Sequence, residues 1–204
     1  MLAKKISLIG VCLVVAVFNS GCITHKVAFG DFDYPVQTKM PGVGVVAVIA
    51  PETLKKNFRI HSALAGYANV WEVQPGQMLQ QFMEVVLPQV FDSGEVSPVK
   101  MMPKQGAQKF VLELSIPEYR FADYHATITV NAKVSNESGE PVLEKEYTHE
   151  GPSQGAKMFN AGALGMKSAL RQSTLGAYKL IFDDLMHDLK STLETREKNG
   201  TQEK

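Results

Sequence analysis

The stretch FVLELSIPEYRFADYHATITVNAKVSNESGEPVLEKEYTHE, residues Phe110 to Glu150, decides the fold. Phe110, Leu112, Leu114 and Ile116 alternate with smaller or polar residues. Ala126, Ile128, Val130, Ala132 and Val134 then alternate with His125, Thr127, Thr129, Asn131, Lys133 and Ser135. A period of two with one apolar and one wet face predicts an antiparallel sheet covered on one side. Asn136 to Pro141, containing Ser138-Gly139, predicts a hairpin turn into a strand from Val142 to His149. Pro117 cannot donate to a ladder, so a bend or an edge is expected there. Just upstream, Val96 to Met101 reads as a short strand.

Outward from this block the period changes to that of a helix. Leu79, Phe82, Met83, Val86 and Val90 form one apolar stripe within a helix from Gln77 to Phe91. Pro88 predicts a kink or an end near Leu87, and Asp92-Ser93-Gly94 a stop. Downstream, Gly151 to Gly165 holds four glycines and a proline and reads as a loop. A second helix is expected from about Met166 to Thr195 through Leu170, Ala177, Ile181, Leu185, Leu189 and Leu193, with Asp183 and Asp184 facing Lys179 and His187. Upstream, Val43 to Ala50 is a continuous β-branched run, expected when both strand faces are covered. A turn or loop follows over Pro51 to Lys56, with short strands at Asn57–Ser62 and Val70–Val73. The expected fold is α+β: a two-layer domain, a mainly antiparallel sheet with two helices packed on one face.

The amino terminus has a different character. Lys4 and Lys5 precede a 13-residue apolar run, Ile6 to Phe18, within the range of a secretory signal core and short of the roughly 20 residues that span a bilayer. The following Asn19-Ser20-Gly21-Cys22 resembles the bacterial lipobox, with Asn19 where an aliphatic residue is usual. That resemblance implies cleavage before Cys22 and acylation of its thiol, an anchor that does not span the membrane. Ile23 at the next position, rather than Asp, implies sorting to the outer membrane. The expected organisation is a signal peptide over 1–21, a lipidated tether over 22–41, one α+β domain over 42–196 and a disordered tail over 197–204. Phe29, Phe32 and Tyr34 in the tether pack on the domain or lie at the lipid interface.

Removing 21 of the 204 residues leaves 183, enough for one core. The leader takes two of 21 basic residues and none of 21 acidic ones, leaving a balance of −2. No basic excess is left for nucleic acid. Cys12 leaves with the leader and Cys22 would be acylated, so stability must come from packing rather than disulfides.

Chemistry-bearing patterns are sparse. His25, His61, His125, His149 and His187 show no metal-ligand spacing. His125 and His149 fall on wet positions of neighbouring strands, a solvated pair in the absence of a third ligand. Ser153 has turn residues around it but no base placed to activate it. Gly162-Ala163-Leu164-Gly165 before the second helix offers backbone amides to an anion, although glycine there is common. Glu137, Glu140, Glu144 and Glu146 surround a hairpin and read as a solvated turn. Most methionines and Trp71 read as core. No catalytic residue, metal site or cofactor is expected.

Five stretches carry a resemblance to small bacterial envelope lipoproteins of the YajG type. They are Val43–Ala50, Met78-Leu79-Gln80-Gln81-Phe82, Phe110-Val111-Leu112-Glu113-Leu114, the Asn136-Glu137-Ser138-Gly139 hairpin and the helix from Ala169 to Leu189. The layout is similar, more loosely, to auxiliary lipoproteins of envelope ABC transporters. The resemblance implies an envelope protein without catalysis. Together with the leader and Ile23, the expected reading is a non-enzymatic, lipid-anchored protein on the periplasmic face of the outer membrane that binds an envelope partner. Met158 and Phe159, in the expected loop, are the candidate partner-binding residues. Two alternatives stand beside it. One is a subunit of a ring or export assembly, with Ala126–Val134 as an uncharged edge strand blocked only by Lys133. The other is a carrier of a lipid or small apolar ligand, which would need a deep pocket between sheet and helices.

Overall fold

A computed structural model describes residues 23–61 and 69–202. The leader, Cys22, residues 62–68 and residues 203–204 lie outside the described residues. The order is β1 (Ile23–Val27), β2 (Met40–Ile49), α1 (Pro51–Lys55), β3 (Phe58–His61), β4 (Asn69–Val73), α2 (Pro75–Val90), β5 (Phe91–Ser97), β6 (Gln108–Ala122), β7 (His125–Ser135), β8 (Pro141–Glu150) and α3 (Gly155–Gln202). The fold is α+β. A five-stranded sheet runs β5-β2-β6-β7-β8, and a three-stranded sheet runs β1-β4-β3.

The quoted stretch forms the β6–β7–β8 meander, antiparallel as its alternation requires. The β6–β7 register breaks between Ser115 and Glu118, so Pro117 sits in a bulge. Gly139 has φ +79° in the β7–β8 turn, a conformation that costs a side chain and that glycine adopts freely. The other half of the sheet is parallel: β2 pairs with β5 on one side and β6 on the other. That central position explains the unbroken apolar run of β2, whose Val43, Val45, Val46, Ala47 and Ile49 are all buried. β7 lies between β6 and β8, so Ala126–Val134 is not an edge.

Both long helices join one core with the same sheet face. Val45, Ala47, Leu112, Leu114, Ile128 and Val130 meet Leu79, Phe82 and Val86 of α2 and Tyr178, Phe182 and Leu185 of α3. Each Val, Leu, Ile or Phe among these contributes about 1.5–3 kcal/mol on burial. The layer a carrier would need to keep open is filled by these residues.

Several boundaries move. α2 continues through Pro88 to Val90, and the chain enters β5 with no loop. Near this end, Gln89 Nε2 donates to the Val85 carbonyl at 2.7 Å. Gly94 lets β5 pass beside the helix end, since a Cβ there would stand 2.4 Å from the Leu87 carbonyl. Pro51 opens a one-turn helix rather than a loop. α3 begins at Gly155, so the expected Gly151–Gly165 loop is mostly helix. Ala156, Ala161 and Ala163 offset the helix penalty of the glycines. The same helix runs to Gln202, so the tail expected over 197–204 is helical to that point.

The tether over 22–41 also needs correction. Ile23–Val27 is a strand of the small sheet, and the residues after it strap the two long helices together. Phe32 stacks on Phe82 at 5.8 Å, and Tyr34 meets Phe82 and Phe182 edge-on at 5.9 and 5.7 Å. Phe29 stands edge-on to Tyr178 at 6.2 Å. Arg171 Nε donates to the Ala28 carbonyl at 2.8 Å, and Lys179 Nζ to that of Asp33 at 2.6 Å. The Tyr34 hydroxyl donates to Asp183. Of the two settings expected for these aromatics, the domain holds them.

Candidate functional site

The helices cover one face of the large sheet. The other carries no helix: Val46 and Val111 on it are buried, while Asn131, Lys133, Glu144 and Glu146 are exposed. Alternation places Val46 and Val48 of β2, Val111, Glu113 and Ser115 of β6, Asn131 and Lys133 of β7, and Glu144 and Glu146 of β8 on this second face. Register aligns Val48, Glu113, Lys133 and Glu144 in one row across four strands. Lys133 Nζ lies 3.5 Å from Glu144 Oε2.

Residues 98–107 connect β5 to β6 as an arch over this face. The arch sits close because Gly44 has no side chain: a Cβ there would be 2.1 Å from the Gln105 carbonyl and 3.0 Å from Pro103 Cβ. Lys100 Nζ reaches down to Glu113 Oε2 at 2.6 Å. A groove of about 630 Å³ involves Val48, Pro51, Glu113, Ser115, Asn131 and Glu146. A second, of about 480 Å³, involves Met101, Met102, Val111, Ser135, Asn136 and Gly139. Lys100, Glu113 and Lys133 belong to both. On the arch itself, Val99 is 62% exposed and Met101 39% exposed. Apolar side chains beside alternating charges suit contact with a protein surface better than enclosure of a small molecule. Periodicity alone missed the arch, because Val99 to Met101 continues the apolar reading of Val96 to Met101. Pro98 and Pro103 were the signals that this run leaves the sheet.

The expected site residues fall elsewhere. Met158 and Phe159 lie in α3 rather than in a loop, and their side chains are outside the described residues. Gly162 to Gly165 lies inside the same helix, so its backbone is committed to helical bonds rather than offered at a terminus. Cys22 lies outside the described residues.

His125 and His149 do not meet. Antiparallel register sets His149 opposite Ile128, on the helix side, while His125 projects to the other face. His149 Nε2 is 2.7 Å from Asp184 Oδ2, and His125 Nε2 is 3.5 Å from Glu150 Oε2. Among the described residues no group of three His, Cys, Asp or Glu side chains could hold a metal ion. Trp71 is wholly buried, with the His25 ring stacked on it at 5.6 Å.

One polar cluster joins β8 to α3. Lys145 Nζ lies 2.6 Å from Asp188 Oδ2, and the Tyr147 hydroxyl donates to the same oxygen at 3.0 Å. The Lys145 hydrogen bond holds the Asp188 carboxyl below its usual pKa, with Tyr147 and His187 adding to the effect. Burial, then the Asp188 hydrogen bond and charge, push the Tyr147 hydroxyl well up. These groups fasten helix to sheet. Among the described residues no helix is long and apolar enough to cross a membrane.

No family model matches the chain, and no curated protein matches it. Among solved structures, a protein described only as uncharacterized aligns at 12% identity over 82% of this chain and 99% of its own, with a TM-score of 0.42.

Proposed function

We propose that this chain is a lipid-anchored, non-enzymatic protein of the bacterial envelope. Acyl chains on Cys22 hold it at the periplasmic face of the outer membrane. It binds a protein partner through the open face of the large sheet and the arch above it. The leader and lipobox-like residues support the anchor. The observation behind the binding surface is the helix-free sheet face, exposed at Asn131, Lys133, Glu144 and Glu146, with Val99 and Met101 exposed on an arch pinned by the Lys100–Glu113 pair. Loops held on a rigid scaffold are favoured recognition elements.

The test is photo-cross-linking in intact cells from position 99 or 101, with position 180 on α3 as control. Leu180 is also exposed, at 44%, so apolar exposure is matched. The arch positions should capture a discrete envelope protein that position 180 does not. Met101→Asp should abolish capture from position 99, and Val99→Asp capture from position 101. Equal capture at all three positions, or capture that survives the Asp substitution at the other arch position, overturns the assignment of the surface.

A further inference from the structure

The residue proposed as the anchor, Cys22, is the immediate neighbour of folded structure. β1 begins at Ile23 and pairs with β4 from its first residue, Ile23 opposite Asn69 and Val27 opposite Val73. The pairing is held by side chains as well as backbone. The His25 ring stacks on buried Trp71, His25 Nε2 lies 2.9 Å from Asn69 Oδ1, and Val27 is buried. Beyond β1 the strap is bonded to α3 at Arg171, Lys179 and Asp183. One peptide link, about 3.8 Å from Cα to Cα, therefore separates an acylated residue from a fixed body.

Connectivity also says which end of the body that is. β3 pairs with β4 with His61 opposite Val70, so His61 lies two strand spacings, roughly 10 Å, from β1 at the same end of the small sheet. The strap then follows α3 in order, with Ala28 at Arg171, Asp33 at Lys179 and Tyr34 at Asp183. Further along the same helix, Arg196 donates to the Pro141 carbonyl beside the β7–β8 turn. From Arg171 to Arg196 is roughly 37 Å of helix. The small sheet and the β7–β8 turn thus occupy opposite ends of the molecule.

We propose that the domain docks directly on the bilayer headgroups with its small-sheet end down, holding the β7–β8 turn on the order of 40 Å away. This rests on acylation of Cys22. Thr24, Lys26, Arg59 and His61 of the small sheet are exposed, with Arg59 paired to Glu72 at 3.3 Å, so the described residues of this sheet present polar groups suited to contact with headgroups. Met101 and Met102 share a groove with Asn136 and Gly139, so the arch is presented toward the far end, clear of lipid.

The mature chain has no cysteine besides Cys22, so an introduced thiol can be labelled alone. His61→Cys and Ser138→Cys, both at exposed positions, would carry a fluorophore in the acylated full chain. The protein is placed in phosphatidylethanolamine–phosphatidylglycerol vesicles containing headgroup-nitroxide lipid. The label at 61 should be strongly quenched and that at 138 scarcely at all. A Gly/Ser linker of about twelve residues between Cys22 and Ile23, a coil of roughly 20 Å, should reduce quenching at 61 toward the level at 138. Weak quenching at both positions in acylated, vesicle-bound protein, unchanged by the linker, overturns the docked orientation and leaves the anchor standing. An intact mass without acyl chains overturns both.

Discussion

At the scale of single residues, the joints between layers depend on polar side chains that bond from helix to sheet. Ser173 of α3 is fully buried, and its Oγ accepts from the Ala126 amide at 2.8 Å where β7 begins. Ser173→Ala removes the acceptor without creating a large void and leaves that amide unpaired, which should cost about 1–3 kcal/mol. Urea denaturation would read this as a lower midpoint at unchanged slope, and an unchanged midpoint would refute it. Asp188 makes a second joint, and its effect depends on pH. Its folded pKa is depressed by Lys145 and Tyr147. The stabilisation is therefore present above the unfolded carboxylate value, near about 4, and is lost as pH falls through the folded one. Asp188→Asn should lower the urea midpoint at neutral pH and flatten its fall below about pH 4. The carboxyl is partly solvated, so the change should be modest.

At the scale of elements, the legible parts of the fold were those whose order is local. The alternation over Phe110–Val134 and the stripe from Leu79 to Val90 repeat with the period of the element they form, and both elements are present. The strap was not legible. Phe29, Phe32 and Tyr34 follow no period because each is placed by helix residues 50 to 150 positions away. The glycines of α3 misled in the opposite sense, since glycine lowers helix propensity without forbidding a helix. At the candidate site, the charges of the Val48–Glu113–Lys133–Glu144 row were visible as wet positions. Their alignment needed the register, and the parallel pairing of β2 with β6 has no local signature. If the strap is structural, Phe32→Ala should lower stability by about 2–3 kcal/mol, somewhat less than a fully enclosed Phe. A flexible tether would lose nothing. Urea denaturation of the non-acylated chain distinguishes the two.

For the molecule as a whole, the question is what the sheet edges permit. A ring built by strand addition needs a free, uncharged edge, and β7, the strand that reads that way in sequence, is paired on both sides. The edges of the large sheet are β5, seven residues long with Asp92 and Glu95, and β8; the small sheet ends in β1 and β3, only five and four residues long. β8 opens with Pro141 and carries Glu144, Lys145, Glu146 and Glu150. An antiparallel self-pairing centred on Lys145 would set Glu144 of each copy against Glu146 of the other, a repulsion in both directions. Chain bearing Cys22→Ser, free of acyl groups, should therefore sediment as a single-chain species at micromolar concentration. Glu144→Val with Glu146→Val removes the repulsion and adds β-branched residues to the edge, and should shift the protein toward dimers or larger species. If the unaltered chain already sediments as a ring, the charges on β8 are not the barrier argued here. If the double variant stays monomeric, the barrier lies in Pro141 and in the α3 contacts made by Lys145 and Tyr147.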